Sequence, residues 1–157
     1  MDNKPKSHIV SASAIIPARR ERIYSLLANY NDGHPRILPS QFTNLVVEQG
    51  GIGAGTVIRF EMSFLGKKQP FRAAISEPEP GRVLMETYLD NNGAITTFTI
   101  DPGSAPADSR VTISTEIPVR TGFMGRIERT LTTLLLRPIY KKELENLARV
   151  ATGPFGA

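Results

Sequence analysis

Between residues 42 and 117 the sequence keeps a two-residue rhythm, interrupted only by turn-forming residues, and beyond residue 118 it changes to a helical one. A period of two sends successive side chains to opposite faces of a sheet, so each such segment reads as a half-buried strand. The clearest is residues 56–65, with Ile58, Phe60, Met62 and Phe64 on one face and Val57, Arg59, Glu61 and Ser63 on the other. Residues 42–48 precede it, and residues 71–77 follow with Phe71, Ala73 and Ile75 on the apolar face. Further strands are expected at 83–89, 95–100 and 110–117. They are separated by Glu77-Pro-Glu-Pro-Gly-Arg, by Asp90-Asn-Asn-Gly and by the Gly/Pro/Ser/Asp-rich residues 101–109. Asn-Gly between apolar runs is a strong hairpin signal. Six strands at this spacing predict a continuous antiparallel meander.

The flanks of the meander carry different patterns. Residues 8–16 alternate loosely and are rich in β-branched side chains, which predicts one more strand. Pro17-Ala-Arg-Arg-Glu-Arg then opens a helix, because proline suits a first helical turn. Ile23, Leu26, Leu27 and Tyr30 give it an apolar stripe, Asn31-Asp-Gly-His-Pro ends it, and Ile37-Leu38-Pro39 is a short linker. Residues 123–150 read as a long helix. Its first half carries Phe123, Ile127, Leu131 and Leu134, its second Leu144, Leu147, Ala148 and Ala151. At about 100° per residue these two stripes lie on different faces. Pro138 sits where the phase changes, which predicts a kink or a short break there.

Composition removes several kinds of chemistry. At 157 residues the chain is expected to be a single domain spanning 1–157, with its core at about 7–151. It has no cysteine, hence no disulfide, thiolate nucleophile, Cys-ligated zinc or iron–sulfur cluster. With only His8 and His34, no multi-histidine metal centre is expected, nor any other metal or cofactor. The polar N-terminus does not resemble a signal peptide, and no apolar run approaches the roughly 20 residues of a membrane helix, so a cytoplasmic location is expected. The net charge of +4 is local: Arg120, Arg126, Arg129, Arg137, Lys141, Lys142 and Arg149, against Glu128, Glu143 and Glu145, account for all of it. That helix lacks the interleaved aromatics of a strand-binding surface, so no nucleic-acid partner is expected. Its charged face reads as a solvated back, available at most for weak contact with an anionic membrane or a partner. No pattern specifies an oligomeric state.

The order of elements, together with Ile16-Pro-Ala-Arg-Arg-Glu-Arg-Ile-Tyr-Ser-Leu-Leu-Ala, Glu79-Pro-Gly-Arg-Val-Leu and Tyr140-Lys-Lys-Glu-Leu-Glu-Asn-Leu, resembles the START/SRPBCC superfamily, within it the polyketide cyclase/dehydrase-like branch. The resemblance implies an α+β helix-grip fold. In it, a curved seven-stranded antiparallel sheet wraps around a long C-terminal helix, with a short helical segment between strands 1 and 2. It further implies a cavity between sheet and helix for an apolar or amphipathic small molecule. On that basis Ile58, Phe60, Met62, Phe64, Phe71, Ala73 and Ile75, with Phe123, Ile127, Leu131 and Leu134 of the helix, are expected to line it. Without a void they would be plain core.

Polar candidates are few. His34 is the plausible acid–base histidine, although a histidine beside proline in a turn commonly caps or faces solvent; His8, at the start of the first strand, is weaker. Glu86 and Tyr88 share one strand face. Inward, they would supply a cavity acid and a phenol; outward, the simpler reading, they are surface. Thr97, Thr99 and Thr115 are candidate cavity hydroxyls and equally good strand formers. Arg59 with Glu61, and Arg72 with Ser76, read as a solvated sheet exterior carrying cross-strand ion pairs. Gly50-Gly-Ile-Gly-Ala-Gly joins two strands and lacks the strand-to-helix setting of a phosphate loop, so it reads as a hairpin turn. No set of side chains identifies a reaction. The leading expectation is binding of a lipid, isoprenoid or quinone, polyketide or aromatic metabolite. The alternative is a cyclase or dehydratase in which His34, Glu86 or Tyr88 moves protons. A third reading is an interaction module acting on membranes or ribosomal RNA through the basic helix.

Overall fold

The computed structural model describes residues 6–90 and 93–154. It contains β1 (Ser7–Ile16), α1 (Arg20–Ala28), β2 (Phe42–Gln49), β3 (Val57–Phe64), β4 (Lys67–Glu79), β5 (Val83–Tyr88), β6 (Ile95–Pro102), β7 (Ser109–Pro118) and α2 (Gly122–Thr152). Strands β2 to β7 form the expected meander, and β1 pairs outside β7, giving one antiparallel sheet in the order β1-β7-β6-β5-β4-β3-β2. The sheet curves around α2 in the helix-grip arrangement. Asn91 and Asn92 of the Asn-Gly hairpin, residues 1–5 and the tail residues 155–157 lie outside the described residues.

The core follows the strand alternation. Ile58, Phe60 and Met62 of β3, Ala73 and Ile75 of β4, Leu84 of β5, Phe98 and Ile100 of β6, and Val111 and Ile113 of β7 are buried on the inner face. The α1 stripe of Ile23, Leu26 and Leu27, with Tyr30 just beyond it, is buried as well. Helix α1 begins at Arg20 rather than at Pro17, because buried Ala18 is held in the strand exit, its carbonyl accepting a 2.7 Å bond from the Ser109 hydroxyl. A 3₁₀ turn, His34–Arg36, precedes the linker. The Asn146 amide ties α2 to that linker by donating to the Ile37 carbonyl at 3.0 Å.

Helix α2 runs without a break through Pro138. Proline costs the bond to the carbonyl four residues back, that of Leu134. Leu134 and Pro138 both lie on the exposed side of the helix, where water can take up the freed carbonyl. The second-half stripe is buried through Leu144, Leu147 and Ala151, with Ala148 partly covered. The first-half stripe is not: Phe123 is 75% and Leu134 66% exposed, and Ile127 and Leu131 are exposed too.

The sheet exterior is ionic, as its sequence suggests. Arg59 and Arg72, neighbours across β3 and β4, both reach Glu48 of β2, at 3.3 and 2.7 Å. The glycine run between β2 and β3 is a hairpin turn with an added task. It straps the end of α1, since Tyr30 donates to the Gly51 carbonyl at 2.8 Å and Gly53 to that of Ala28 at 2.9 Å. Gly51 adopts φ 143°, a conformation for which glycine alone is suited.

Candidate functional site

Between the inner face of the sheet and α2 lies a cavity of about 620 Å³. Its walls are mostly apolar: Phe42 and Leu45 from β2, Ile58, Phe60, Met62 and Phe64 from β3, Phe71 from β4, Phe98 from β6, Ile117 from β7, and Leu135 and Leu136 from α2. Rings dominate one wall. Phe60 stacks on Phe71 with centroids 5.7 Å apart, and Tyr88 meets both edge-on at 6.1 and 5.7 Å. Such a surface suits flat or hydrocarbon ligands. Gln69, Asp90 and Ala94, at the β3-to-β6 hairpin ends, also line it, and Gln69 and Asp90 are exposed; this is the mouth of the cavity.

Polar groups gather on the buried side. Tyr30 donates its hydroxyl proton to Glu86 Oε1 at 2.7 Å, and His34 Nε2 lies 3.7 Å from the same oxygen. The His34 ring is locked: it stacks on Tyr30 at 4.3 Å, meets Phe98 edge-on at 5.6 Å, and its Nδ1 lies 2.8 Å from the Leu27 carbonyl. A carbonyl only accepts, so Nδ1 carries the proton and Nε2 presents a lone pair. Burial lowers the His34 pKa to about 4, so the ring is neutral at physiological pH. Burial raises Glu86 to about 7, against the opposing pull of the Tyr30 hydrogen bond. Glu143, from α2, is pushed well above the ordinary carboxylate range, first by burial and then by the negative charge of Glu86. The Tyr30 and Tyr88 phenols are raised by the same loss of solvent. Thr96, Thr115 and Tyr140 form a hydroxyl chain, with Thr96 and Thr115 2.7 Å apart and Tyr140 bonded to Thr115.

Several expected site residues meet here and others do not. His34, Glu86, Tyr88, Ile58, Phe60, Met62, Phe64, Phe71 and Thr115 all line the cavity. Glu86 and Tyr88 therefore face inward, and His34 is buried rather than capping a turn in solvent. Ala73 and Ile75 share the inner face but belong to the closed core beyond the cavity. Phe123, Ile127, Leu131 and Leu134 are a correction: they do not line it, and α2 instead presents Thr132, Leu135, Leu136, Tyr140 and Glu143. The cavity face is one residue further along, about 100° around the helix. Thr97 and Thr99 are half-buried on the opposite strand face from Thr96 and do not line the cavity. His8 bridges β1 to α2 through a 2.7 Å bond to Thr133 Oγ1.

In the sequence Tyr30, Thr96, Tyr140 and Glu143 have no site role: Tyr30 reads there only as part of the α1 stripe and Glu143 only as a helix charge. For Tyr140 and Glu143 a signal existed, since residues 132, 136, 139, 140, 143, 144 and 147 make one unbroken helical stripe once Pro138 is read through. Among the described residues, no three His, Asp or Glu side chains converge to hold a metal ion, and no helix is long and apolar enough to cross a membrane.

The family described as polyketide cyclase / dehydrase and lipid transport matches residues 7–152. No curated protein matches the chain. Among solved structures, the solution structure of KanY protein superposes with a TM-score of 0.80 at 24% identity, covering 96% of this chain and 99% of that one. The Zhui aromatase/cyclase from a Streptomyces species gives 0.77 at 12% identity, covering 97% and 100%. A START superfamily protein from Mycobacterium smegmatis gives 0.71 at 16% identity, covering 92% and 97%. At these identities the likeness is one of fold.

Proposed function

The chain belongs to the polyketide cyclase / dehydrase and lipid transport family, and from that premise we propose that it binds a hydrophobic or amphipathic small molecule between sheet and α2. A lipid, isoprenoid or quinone, polyketide or aromatic metabolite fits the description. The observation that carries this reading is the 620 Å³ cavity itself, walled by phenylalanine and aliphatic side chains with its polar groups gathered on the buried side. Apolar burial supplies affinity at roughly 25 cal/mol per Å², and the few buried polar groups orient the ligand. Protein purified without added ligand and extracted into organic solvent should yield a bound small molecule by mass spectrometry. Leu135→Trp, which fills the cavity from a half-buried helix position, should abolish its recovery while leaving the fold intact. Equal recovery from the Trp variant would place the ligand elsewhere.

A second reading, a cyclase or dehydratase using the same cavity, is favoured by one observation. Glu86, raised to about 7, can exchange a proton near neutrality inside an apolar site. In that reading Glu86 gives or takes the proton, Tyr88 holds a ligand oxygen, and His34 keeps its Nε2 lone pair toward Glu86. The presence in the same fold group of an aromatase/cyclase agrees with it. Weak contact with an anionic membrane belongs to the proposal as well. It rests on the exposed stripe Phe123, Ile127, Leu131 and Leu134, edged by Arg126 and Arg137.

A further inference from the structure

The charge of the cavity lining is one-sided. Among the described residues, its ionisable acids are Glu86, Glu143 and, at the mouth, Asp90, and no lysine or arginine lines it. This holds in a protein whose net charge is +4. The surplus of positive charge lies elsewhere, on Arg120 and on the cations of α2 that do not line the cavity. The one basic side chain that lines the cavity, His34, is held by stacking on Tyr30, by a perpendicular contact with Phe98 and, at Nδ1, by the Leu27 carbonyl.

The two inner carboxyls are also unevenly satisfied. Glu86 accepts from Tyr30 at one oxygen, Oε1. Glu143 is 3% exposed and lines the cavity, and its carboxyl has no hydrogen-bond partner among the described residues. The hydroxyls that line the same side of the cavity, Thr96, Thr115 and Tyr140, are partnered with one another. Burying a carboxyl with no partner carries a cost, which an occupant of opposite charge removes. An anionic occupant would press both acids further toward the protonated form. A ligand bearing only carbonyl oxygens could accept from a protonated carboxyl but would bring no opposite charge, whereas a cation draws a buried acid back to its ionised form. A protonated nitrogen answers both acids, and the Phe60, Phe71 and Tyr88 rings favour a cation near their faces and an aryl or hydrocarbon body against them.

We propose that the cavity selects a hydrophobic amine, with a protonated nitrogen facing the Glu86 and Glu143 carboxyls and an aryl or hydrocarbon body on the apolar walls. This rests on reading the cavity as a ligand site, and adds the charge of the ligand to it. Glu143 is the anchoring group and Glu86, already holding Tyr30, the second.

Three probes of one shape test it by isothermal titration calorimetry at neutral pH: 2-(2-naphthyl)ethylamine, the neutral 2-naphthaleneethanol and the anionic 2-naphthylacetic acid. The amine should bind at least about tenfold more tightly than the alcohol, and the acid more weakly than either. In Glu143→Gln, and to a smaller extent Glu86→Gln, the amine's advantage over the alcohol should fall by about tenfold while the alcohol's own affinity stays within about twofold. Wild-type protein that binds the alcohol or the acid as tightly as the amine overturns the inference and leaves the cavity reading standing. So does an advantage that survives in both glutamine variants. Binding of none of the three overturns the cavity reading together with the inference. Because the probe series is decided on wild-type protein, it holds even where a glutamine variant folds poorly.

Discussion

Replacing Glu86 by glutamine should change how stability depends on pH, by an amount that follows from the environment of its carboxyl. The group is buried and its pKa is raised from 4.5 to about 7. Because the folded protein holds the proton more tightly than the unfolded chain, the contribution of Glu86 is fully present below pH 4.5. It falls away as pH rises through about 7. At about 1.4 kcal/mol for each pH step, the loss amounts to roughly 3 kcal/mol. The groups facing Glu86 are Tyr30, His34, Tyr88, Tyr140 and Glu143. His34 acts in the opposite sense. Its pKa is lowered from 6.5 to about 4, so its contribution is present above pH 6.5 and is lost as pH falls through about 4. Between these limits the two slopes oppose each other, and a profile of wild-type protein alone would hide both. The difference between Glu86→Gln and wild type cancels the direct contribution of His34 and leaves that of the Glu86 carboxyl together with its coupling to Glu143. Glutamine keeps the acceptor for Tyr30. Urea unfolding followed by far-ultraviolet circular dichroism should therefore show the variant gaining about 3 kcal/mol on wild type between pH 4.5 and pH 8. A difference that stays flat across this range, or runs the other way, would show that Glu86 is not a desolvated acid and refute the electrostatic account of the site.

Other substitutions probe separate parts of the structure. Leu147→Ala, at a fully buried position of α2, should cost about 2–5 kcal/mol in the same urea assay; a loss under about 1 kcal/mol would mean that α2 does not close the core there. Gly51→Ala should cost about 1–3 kcal/mol, because φ 143° is unsuited to alanine and the new methyl would meet Asn31; an unchanged midpoint would contradict the strap between the β2–β3 turn and α1. Sedimentation with phosphatidylserine-containing vesicles at low salt should fall about tenfold in Leu131→Ser/Arg126→Glu relative to wild type, and equal sedimentation would remove the membrane contact.

What could be read in the sequence depended on which physical pattern was undivided. Strands β3 and β4 were legible because Ile58, Phe60, Met62, Phe71, Ala73 and Ile75 are apolar at every second position, with Arg59, Glu61, Arg72 and Ser76 among the residues between and beside them. On β5 that contrast is reversed. The outward side chains Val83, Met85, Thr87 and Leu89 are the more apolar set, so hydrophobicity alone turned Glu86 and Tyr88 outward. Only Leu84, buried and in phase with Glu86, pointed the right way. On α2 the error had another origin. Phe123, Ile127, Leu131 and Leu134 make a regular stripe, but no element covers it, whereas the cavity face mixes threonine, tyrosine and glutamate with leucine and so looks weakly amphipathic. The acid cluster was illegible for a simpler reason: Tyr30, Glu86 and Glu143 are far apart in sequence and meet only when the sheet closes on the helix.

Methyl-resolved NMR offers the most direct test of the claim that the cavity is the ligand site. On titration with the small molecule recovered from the purified protein, the methyl signals of Ile58, Met62, Leu135 and Leu136 should shift together in proportion to occupancy. Those of Leu131 and Leu134, on the exposed side of the same helix, should stay in place. Shifts confined to Leu131 and Leu134, with the four cavity methyls unmoved, would contradict the account and place binding on the outer face of α2.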